Sequence, residues 1–410
     1  MWLKHVVIVG SGTGGTFAAN LLAKQLRSRI KRGEVSIELV GESDEHVFQP
    51  ANLDVALKGK RPERYVKRES RLLNPLVKFY PEAAEKIDLG DRRVYTKTGR
   101  SLGYDYLLVA TGAVADPSMT PGLEEGSLNF HTGPFNAARI WEKLKGFSGG
   151  RVVVAVAGVP YKCPPSPNEA AFLLDEHFRK RGIRERVEIK LLTPYPRAYP
   201  AEAISEVIEP LYERLGIEVV TFFSMDSVDP KKKVVYSLDG EEYEYDLLLA
   251  IPPHRGADVI IRSEVGDEEG WIPTDKHTLF IKDYDDALAI GDATNIPISK
   301  SGVVAHLESG VAVLNILSGI EGYGEVFRYN GRINCPMELG YGRAIFVSAT
   351  YDKPPEPQKP SRIKAIMKST FSRIYWKALS GDLEWIFKLF LGECASPTNG
   401  GKTVTLAPAR

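Results

Sequence analysis

The stretch His5-Val-Val-Ile-Val-Gly-Ser-Gly-Thr-Gly-Gly15 near the start of the chain decides the fold. Its first half is a short continuous apolar run, which is typical of a parallel strand covered on both faces. Gly10, Gly12 and Gly15 form the pattern Gly-x-Gly-x-x-Gly, and residues 16–29 read as a helix. Such glycines permit a tight turn, close approach of a pyrophosphate and close helix–strand packing. The stretch predicts a dinucleotide site, although the motif alone also occurs as an ordinary glycine turn.

A candidate ribose ligand, Glu42, follows the second predicted strand at residues 35–40. A carboxylate at this position can accept hydrogen bonds from ribose hydroxyls. The spacing from Gly15 is somewhat long, so a solvated loop acid is the alternative interpretation.

The charge balance, the apolar runs and the number of cysteines exclude several classes of function. The chain has 410 residues, and its 53 Lys and Arg balance 53 Asp and Glu, so no overall charge favours nucleic acid. The sequence shows neither a secretory signal nor an apolar run of about 18–20 residues, and we expect membrane contact to be peripheral. The three cysteines, too few for a disulfide framework or a zinc site, are Cys163, Cys335 and Cys394.

Alternating strands and helices continue along the chain, with a second strand–turn–helix unit from residue 151. This alternation predicts an α/β fold with two Rossmann-like dinucleotide-binding domains, the first of them discontinuous. The expected boundaries are 1–115 with 246–325 for the first domain, 116–245 for the second, and 326–410 for a C-terminal region.

Two further segments suggest the cofactor. Leu107-Leu-Val-Ala-Thr-Gly-Ala113 resembles the strand-ending motif of flavoproteins with two dinucleotide folds, and Asp286-Ala-Leu-Ala-Ile-Gly-Asp-Ala293 resembles their second FAD signature. The resemblance implies that the first domain binds FAD and that Asp292 holds the ribityl chain. It also assigns to the cofactor site, besides the glycines and Glu42, the residues Thr111, Gly112, Lys300 and Gly302. A surface lysine is the alternative interpretation of Lys300.

The second turn lacks what a nicotinamide cofactor needs. It reads Ala157-Gly-Val-Pro-Tyr-Lys-Cys-Pro-Pro-Ser-Pro167, in which prolines remove amide donors and the close-approach glycines are missing. Cys163 lies in this turn, near a helix N-terminus and beside Lys162, and this position predicts a lowered thiol pKa. A buried, inert cysteine is the alternative.

Four segments together resemble sulfide:quinone oxidoreductases and the related flavocytochrome c sulfide dehydrogenase flavoproteins. They are Val159-Pro-Tyr-Lys-Cys-Pro-Pro-Ser-Pro-Asn-Glu-Ala170, Ile251-Pro-Pro-His-Arg-Gly256, Gly291-Asp-Ala-Thr-Asn-Ile-Pro-Ile-Ser-Lys-Ser-Gly302 and Asn334-Cys-Pro-Met-Glu-Leu-Gly-Tyr-Gly-Arg-Ala344. The resemblance implies that Cys163 and Cys335 are a redox pair which oxidises hydrogen sulfide to polysulfide or sulfur, with electrons passing through FAD to a membrane quinone. Many members have a third cysteine upstream, where this chain has only Asn129-Phe-His-Thr132, and Cys394 is a poor substitute.

Two candidates for proton transfer accompany the cysteines. His131 titrates near neutrality, but a core or loop histidine is an equally good interpretation. Glu169 follows Cys163 by six residues, although a carboxylate at a helix N-terminus needs no catalytic explanation.

The C-terminal region predicts peripheral membrane docking. Residues 362–391 are basic and rich in aromatic residues, as expected for amphipathic helices at a bilayer surface. A helix docked on its own domain or on a partner is the alternative. Candidate quinone-lining residues are Tyr341, Ile345 and Phe346. The cytoplasmic membrane face is favoured, and a homo-oligomer is compatible with the sequence.

Three rival functions remain open at this point. A type II NADH dehydrogenase predicts an intact second glycine motif, which this chain lacks. A flavocytochrome c sulfide dehydrogenase predicts export and a haem partner. A flavin-bound scaffold or redox sensor without turnover would tolerate the loss of either cysteine.

Overall fold

Two parallel sheets form the centre of this computed structural model, which describes residues 3–383 and the backbone of residues 395–397. Cys394 and residues 384–391 of the predicted docking segment lie outside the described residues. The strands are β1 Lys4–Val9, β2 Val35–Gly41, β3 Glu45–Val47, β4 Val66–Arg68, β5 Lys78–Pro81, β6 Ala84–Asp88, β7 Arg93–Thr96, β8 Ser101–Gly103, β9 Tyr106–Val109, β10 Ala113–Ala115, β11 Gly150–Val156, β12 Val187–Leu192, β13 Ile217–Val220, β14 Met225–Asp229, β15 Val234–Ser237, β16 Glu242–Glu244, β17 Leu247–Ile251, β18 His254–Gly256, β19 Ala287–Ala289, β20 Phe327–Tyr329, β21 Ile333–Glu338, β22 Ala344–Ala349 and β23 Ala395–Pro397. The helices are α1 Thr13–Gln25, α2 Arg27–Lys31, α3 Asn52–Lys58, α4 Leu123–Gly126, α5 Pro134–Gly146, α6 Ser166–Lys180, α7 Glu202–Leu215, α8 Asp258–Arg262, α9 Gly302–Glu321 and α10 Arg362–Leu379.

The first domain is a five-stranded parallel sheet with the order β19-β9-β1-β2-β5. In its register Val6 lies opposite Ile37 on one side and Tyr106 on the other. Helices α1 and α9 pack on one face, and the small antiparallel sheet β6-β7-β8 together with α8 covers the other. The α/β fold and the discontinuous first domain are therefore as the sequence predicts.

The second domain has a four-stranded parallel sheet with the order β13-β12-β11-β17. Strand β17 pairs with β11 along its whole length, with Val154 opposite Leu249. The boundary expected at residue 246 is therefore wrong: Leu247–Ile251 completes the second sheet, and the chain returns to the first domain only after it. Continuous apolar runs look alike in either sheet, and only the pairing assigns them.

The C-terminal region joins the two domains. The β21–β22 hairpin buries Cys335 and Met337 in the core of the second domain, whereas α10 buries Tyr375 and Leu379 in the core of the first. The predicted alternative, a helix docked on its own domain, is correct for the inner face of α10.

Helix α9 is the one helix in the described part of the chain that is long and apolar enough to cross a membrane. The prediction that no apolar segment is long enough to span a membrane is therefore wrong as far as the length and composition of this helix are concerned. However, 72% of the apolar window is buried inside the protein, as in the core helix of many soluble domains.

Candidate active site

The glycine loop after β1 is shaped for a pyrophosphate. Gly10 has a φ of +110°, and a Cβ there would lie 2.3 Å from the carbonyl oxygen of Ala110. A Cβ on Gly15 would lie 1.9 Å from the carbonyl oxygen of Gly10, so this glycine lets α1 pack against the strand. A Cβ on Gly12 would meet nothing within 4 Å, which leaves the approach to the loop open. No side chain caps α1, so its first amides remain available to an anion.

Buried polar atoms without partners surround this loop. Thr111 Oγ1 and Asp292 Oδ1 have no hydrogen-bond partner among the residues that the structure describes. Gly112 is open, with a φ of +69°, and Glu42 is exposed directly after β2. Buried polar groups normally find partners. These residues therefore fit a dinucleotide with a ribityl chain and ribose hydroxyls.

Lys300 stabilises the loop that carries Asp292. Its Nζ donates to the backbone oxygens of Asp292 at 3.0 Å and Thr294 at 2.8 Å, and it lies 4.0 Å from the ring centre of Trp271. The side chain is buried, so the alternative of a surface lysine is wrong. Gly302 begins α9, whose N-terminus is capped by Ser301 Oγ.

The same loop brings Cys163 and Cys335 together. The amide of Cys163 donates to the carbonyl of Lys300 at 2.7 Å, and Cys335 Sγ lies 3.4 Å from Ser301 Oγ. The two thiols, 172 positions apart in sequence, thus flank two consecutive residues of the cofactor loop. Both are free thiols in this structure, Cys335 buried and Cys163 half-buried.

The predicted lowering of the Cys163 pKa is wrong for this structure. Burial raises the pKa of the thiol, and the nearby carboxyl of Glu169 raises it further, while Lys368 acts in the opposite direction. Lys162 instead interacts with Asp292, which counteracts the effect of burial on the lysine pKa. The helix N-terminus and the neighbouring lysine were visible in the sequence, but the extent of burial was not.

Glu169 joins the turn that carries Cys163 (residues 157–167, called the redox turn below) to the C-terminal region. Its Oε1 accepts from the amide of Glu338 at 2.6 Å and from Lys368 Nζ of α10. Glu338 in turn binds Lys58 of α3 at 2.7 Å. Burial raises the pKa of Glu169 despite its contact with Lys368. A proton-accepting carboxyl therefore lies beside Cys163 and is held by the predicted docking helix.

His131 lies in a second polar group beside the redox turn. It is buried, with Nε2 3.1 Å from Ser166 Oγ, and burial together with His254 and Lys162 holds its pKa well below the usual range. His254 Nδ1 donates to the carbonyl of Pro252 at 2.8 Å, and its Nε2 has no partner among the described residues. Burial lowers the pKa of His254 to about 3. Both rings are thus neutral hydrogen-bonding groups near neutral pH.

A model of the pyridine nucleotide-disulphide oxidoreductase family matches residues 4–309, which is well over half of the chain. The chain belongs to this family. It is 25% identical to the mitochondrial sulfide:quinone oxidoreductase of Mus musculus over 361 residues, covering 86% of this chain and 79% of the relative. It is 23% identical to the sulfide-quinone reductase of Aquifex aeolicus over 423 residues, covering 95% of each.

The solved structure of the sulfide:quinone oxidoreductase from the hyperthermophilic bacterium Aquifex aeolicus has the same fold. It superposes with a TM-score of 0.84 at 22% sequence identity, covering 97% of this chain and 100% of that chain. The resemblance seen in the four sequence segments is therefore confirmed. The cofactor of this oxidoreductase is FAD, as the sequence predicts, and the glycine loop, Thr111 and Asp292 would hold it.

The second turn of this oxidoreductase packs tightly against its neighbours. Tyr161 is buried in the core of the domain, and Gly158 packs against Pro253. The N-terminus of α6, where a pyrophosphate would sit, is covered by the amide of Glu338 and by Lys368, both bound to Glu169. The absence of a nicotinamide site from the second domain stays a prediction.

The three residues predicted to line a quinone site are dispersed. Tyr341 lies at the tip of the β21–β22 hairpin, with its hydroxyl bound to Asp175 and its amide to Glu176. Ile345 is fully buried in the core beside Met337, and Phe346 is half-buried in β22. None has a described contact with either thiol, so their assignment to a quinone site stays a prediction.

An aromatic cleft of about 650 Å³ opens beside the redox turn of the oxidoreductase. Its walls are formed by Tyr161, Tyr195, Tyr199 and Trp271, and its floor includes Pro164 and Lys300. The lining includes Pro164, the residue after Cys163, but neither of the two cysteines. The described residues contain no cluster of side chains able to hold a metal ion.

Sequence reasoning did not assign roles to Lys368 or His254, and it gave Lys162 only the expected lowering of the Cys163 pKa. His254 was visible within the segment 251–256, and Lys162 as the neighbour of Cys163. Nothing in the sequence pointed to Lys368, because it is one of several basic residues in an amphipathic helix. Only the packing of α10 brings it to Glu169.

Proposed function

We propose that this protein oxidises hydrogen sulfide to polysulfide or elemental sulfur and passes the electrons through FAD to a membrane quinone. The observation that carries the proposal is the meeting of Cys163 and Cys335 at Lys300 and Ser301, in the loop that also carries Asp292. A thiol pair beside a flavin can exchange two electrons with it.

The chemistry starts from the oxidised pair. Hydrosulfide attacks the bond between the two cysteine sulfurs, so one cysteine becomes a persulfide and the other leaves as a thiolate. The persulfide and the thiolate can then join into a sulfur-bridged pair, a two-electron oxidation for which FAD, held by the glycine loop, Thr111 and Asp292, would be the electron acceptor. A further hydrosulfide opens the bridge, and each renewed joining of the terminal sulfur to the thiolate adds one sulfur to the chain and releases two more electrons. Attack of the free cysteine thiolate on the inner sulfur of the chain then re-forms the bond between the cysteines and expels polysulfide.

The proton of the persulfide needs an acceptor at the redox turn. Glu169, on the first turn of α6, is the acceptor that we propose, and burial favours its protonated form by raising its pKa. His131 and His254 are neutral, and the Nε2 atom of His254, which has no partner among the described residues, can accept a hydrogen bond. The cleft lined by tyrosines lies next to the turn that carries Cys163, and we assign to it the binding of an apolar sulfur product.

Helix α10 supports a membrane quinone as the acceptor. It places Lys368 on Glu169 while exposing the side chains of Ile363 (70%) and Ile366 (64%) on its outer face. One face of this helix thus contacts Glu169 and another face is exposed, as expected for an enzyme that docks peripherally on a bilayer. Binding at the cytoplasmic face and assembly into a homo-oligomer stay predictions.

The rival functions fit the site less well. A type II NADH dehydrogenase needs a nucleotide at the N-terminus of α6, which Glu169, Glu338 and Lys368 close. A flavocytochrome c flavoprotein or a redox sensor would give no function to the contact between Lys368 of α10 and Glu169.

One anaerobic titration tests the proposal. Sulfide should bleach the flavin of the purified protein, and a soluble quinone should restore its colour. Cys163→Ser and Cys335→Ser should keep FAD and lose the bleaching, whereas Cys394→Ser, the matched control, should behave as the wild type. Fast bleaching by NADH, or normal bleaching in Cys163→Ser, would overturn the proposal.

A further inference from the structure

A chain of buried polar groups runs from α10 to the pyrophosphate loop. Tyr375 Oη lies 2.7 Å from Thr13 Oγ1 and 2.7 Å from His46 Nε2. His46 Nδ1 lies 2.7 Å from Glu69 Oε2, and the other oxygen of Glu69 accepts from Thr16 Oγ1 at 2.7 Å. Both ends of this relay therefore reach the first turn of α1, which begins directly after Gly12.

The relay is sealed from solvent. His46, Glu69 and Tyr375 are 1%, 0% and 4% exposed, and Phe48 packs on the ring of Tyr375 at 4.2 Å between ring centres. Burying a carboxylate, an imidazole and a phenol is costly unless every polar atom has a partner. The only element that supplies the phenol is α10, so undocking this helix would leave His46 and Thr13 without their bonds.

Thr13 and Thr16 belong to the part of α1 that would face the cofactor. Thr13 is the first residue of the helix, and Thr16 Oγ1 also lies 3.1 Å from the carbonyl of Ser11 in the glycine loop. The relay thus holds the glycine loop through the side chains of Thr13 and Thr16. The backbone amides in the first turn of α1 stay available for phosphate oxygens.

We propose that Glu69, His46 and Tyr375 are positioning residues for the FAD pyrophosphate loop, and that retention of FAD depends on the docking of α10. The C-terminal helix is then part of the cofactor site. The proposal needs only the binding of FAD and not the oxidation of sulfide, so failure of either proposal leaves the other standing. Because linkage is reciprocal, FAD must in turn stabilise the docked helix by the same factor.

Reconstitution of the full-length apoprotein with FAD tests the first half. Tyr375→Phe keeps the ring and removes the hydroxyl, and the dissociation constant of FAD, measured by flavin fluorescence, should rise about tenfold. Tyr351→Phe is the matched control, since it loses a 2.7 Å bond to the carbonyl of Lys276 outside the relay. It should bind FAD as the wild type does.

Two further measurements separate positioning from general stability. The Tm of Tyr375→Phe should fall more in the FAD-bound protein than in the apoprotein, whereas a merely structural role lowers both equally. Thr13→Val cuts the relay at its other end, and its effect on the FAD dissociation constant should not add to that of Tyr375→Phe. Additive effects, or unchanged FAD binding in Tyr375→Phe, would refute the relay.

Limited trypsin digestion tests the reciprocal half. Cleavage within α10, followed by mass spectrometry, should be slower with FAD than without it in the wild type, and the difference should shrink about tenfold in Tyr375→Phe. Equal protection by FAD in both proteins would contradict the linkage.

Discussion

At the scale of single residues, the reactivity of Cys163 is governed by side chains of opposite charge. Glu169 raises the pKa of the thiol and Lys368 lowers it, on top of the larger effect of burial. Burial works against the charge of Lys368, yet Glu169 and Glu338 together raise the pKa of this lysine, so it stays protonated. A cation from α10 thus supports the thiolate of a cysteine some 200 positions away in sequence.

Removal of this cation should slow the reaction of Cys163 with alkylating agents. In a background that lacks Cys335 and Cys394, Lys368→Met leaves Glu169 without its partner and raises the thiol pKa. We expect iodoacetamide to react about tenfold more slowly at pH 8, and the alkylation profile to move to higher pH. Lys364→Met on the same helix removes a bond to Gln358 instead and should have no effect. Equal or faster alkylation in Lys368→Met would contradict this account.

Glu308 is a second residue whose environment determines its charge. It is fully buried, and its Oε2 accepts from the amide of Gly291 at 2.6 Å. Burial raises its pKa to about 8, so the folded protein keeps a proton there that the unfolded chain releases above its ordinary pKa of 4.5. The contribution of Glu308 to the free energy of unfolding is therefore fully present below pH 4.5. It is lost as the pH rises through about 8.

Glu308→Gln should weaken that pH dependence. The amide keeps an acceptor for Gly291 and carries no charge, so the variant gains stability relative to the wild type between pH 5 and pH 8, by a few kcal/mol at most. The Tm measured across this range should show the difference growing with pH. Glu206→Gln, at an exposed position of α7, should run parallel to the wild type. A parallel profile for Glu308→Gln would mean that the carboxyl is already ionised.

At the scale of elements, α10 combines two functions on opposite faces. Its inner face carries Tyr375, Ala378 and Leu379 into the core of the first domain, and its outer face exposes Ile363 and Ile366. The sequence pattern predicts an amphipathic helix here and leaves open whether a membrane or the protein covers the apolar face. The structure shows that the protein covers one part and leaves another part free.

The free part should contact membranes. Ile363→Ser with Ile366→Ser removes two exposed apolar side chains, each contributing about 1–2 kcal/mol to transfer out of water. Partition onto vesicles of phosphatidylcholine and phosphatidylglycerol, measured by sedimentation, should fall at least about tenfold, while bleaching by sulfide is unchanged. Leu238→Ser, equally exposed at 69% in the second domain, is the control. Unchanged vesicle binding in the double variant would place membrane contact elsewhere.

At the scale of the whole molecule, a charged network joins four parts of the chain. Glu338 of β21 binds Lys58 of α3 and lies 3.4 Å from Lys368 of α10, which in turn binds Glu169 of α6. Burial favours the neutral form of Glu338, but Lys368 and Lys58 hold its pKa below the usual range. The two domains and the C-terminal region therefore meet at one carboxylate.

Glu338→Gln should loosen this junction. It leaves two partly buried cations without their shared partner, which costs about 2–3 kcal/mol of unfolding free energy near neutral pH. The stability from Glu338 is present above the unfolded pKa and is lost as the pH falls through the folded one, so the variant should approach the wild type in acid. Thermal unfolding measures both effects. Glu142→Gln, whose partner is Lys145 on an exposed surface, should change little, and an equally small change in Glu338→Gln would contradict the role of the network.

The sequence by itself determined the local units. The apolar run before Gly10, the glycine spacing and the alternation of strands and helices depend on neighbours a few residues apart, and each unit formed within a few residues of its predicted bounds. Family resemblance in short segments predicts that Cys163 pairs with Cys335 and that Asp292 binds FAD, and both assignments stay predictions.

Only the tertiary structure decided what depends on distant segments. It assigned Leu247–Ile251 to the second sheet, raised the pKa of Cys163 by burial, and brought Tyr375 and Lys368 of α10 to the glycine loop and to Glu169. Strand pairing, desolvation and hydrogen bonds between segments hundreds of positions apart arise from packing, and no local pattern encodes them.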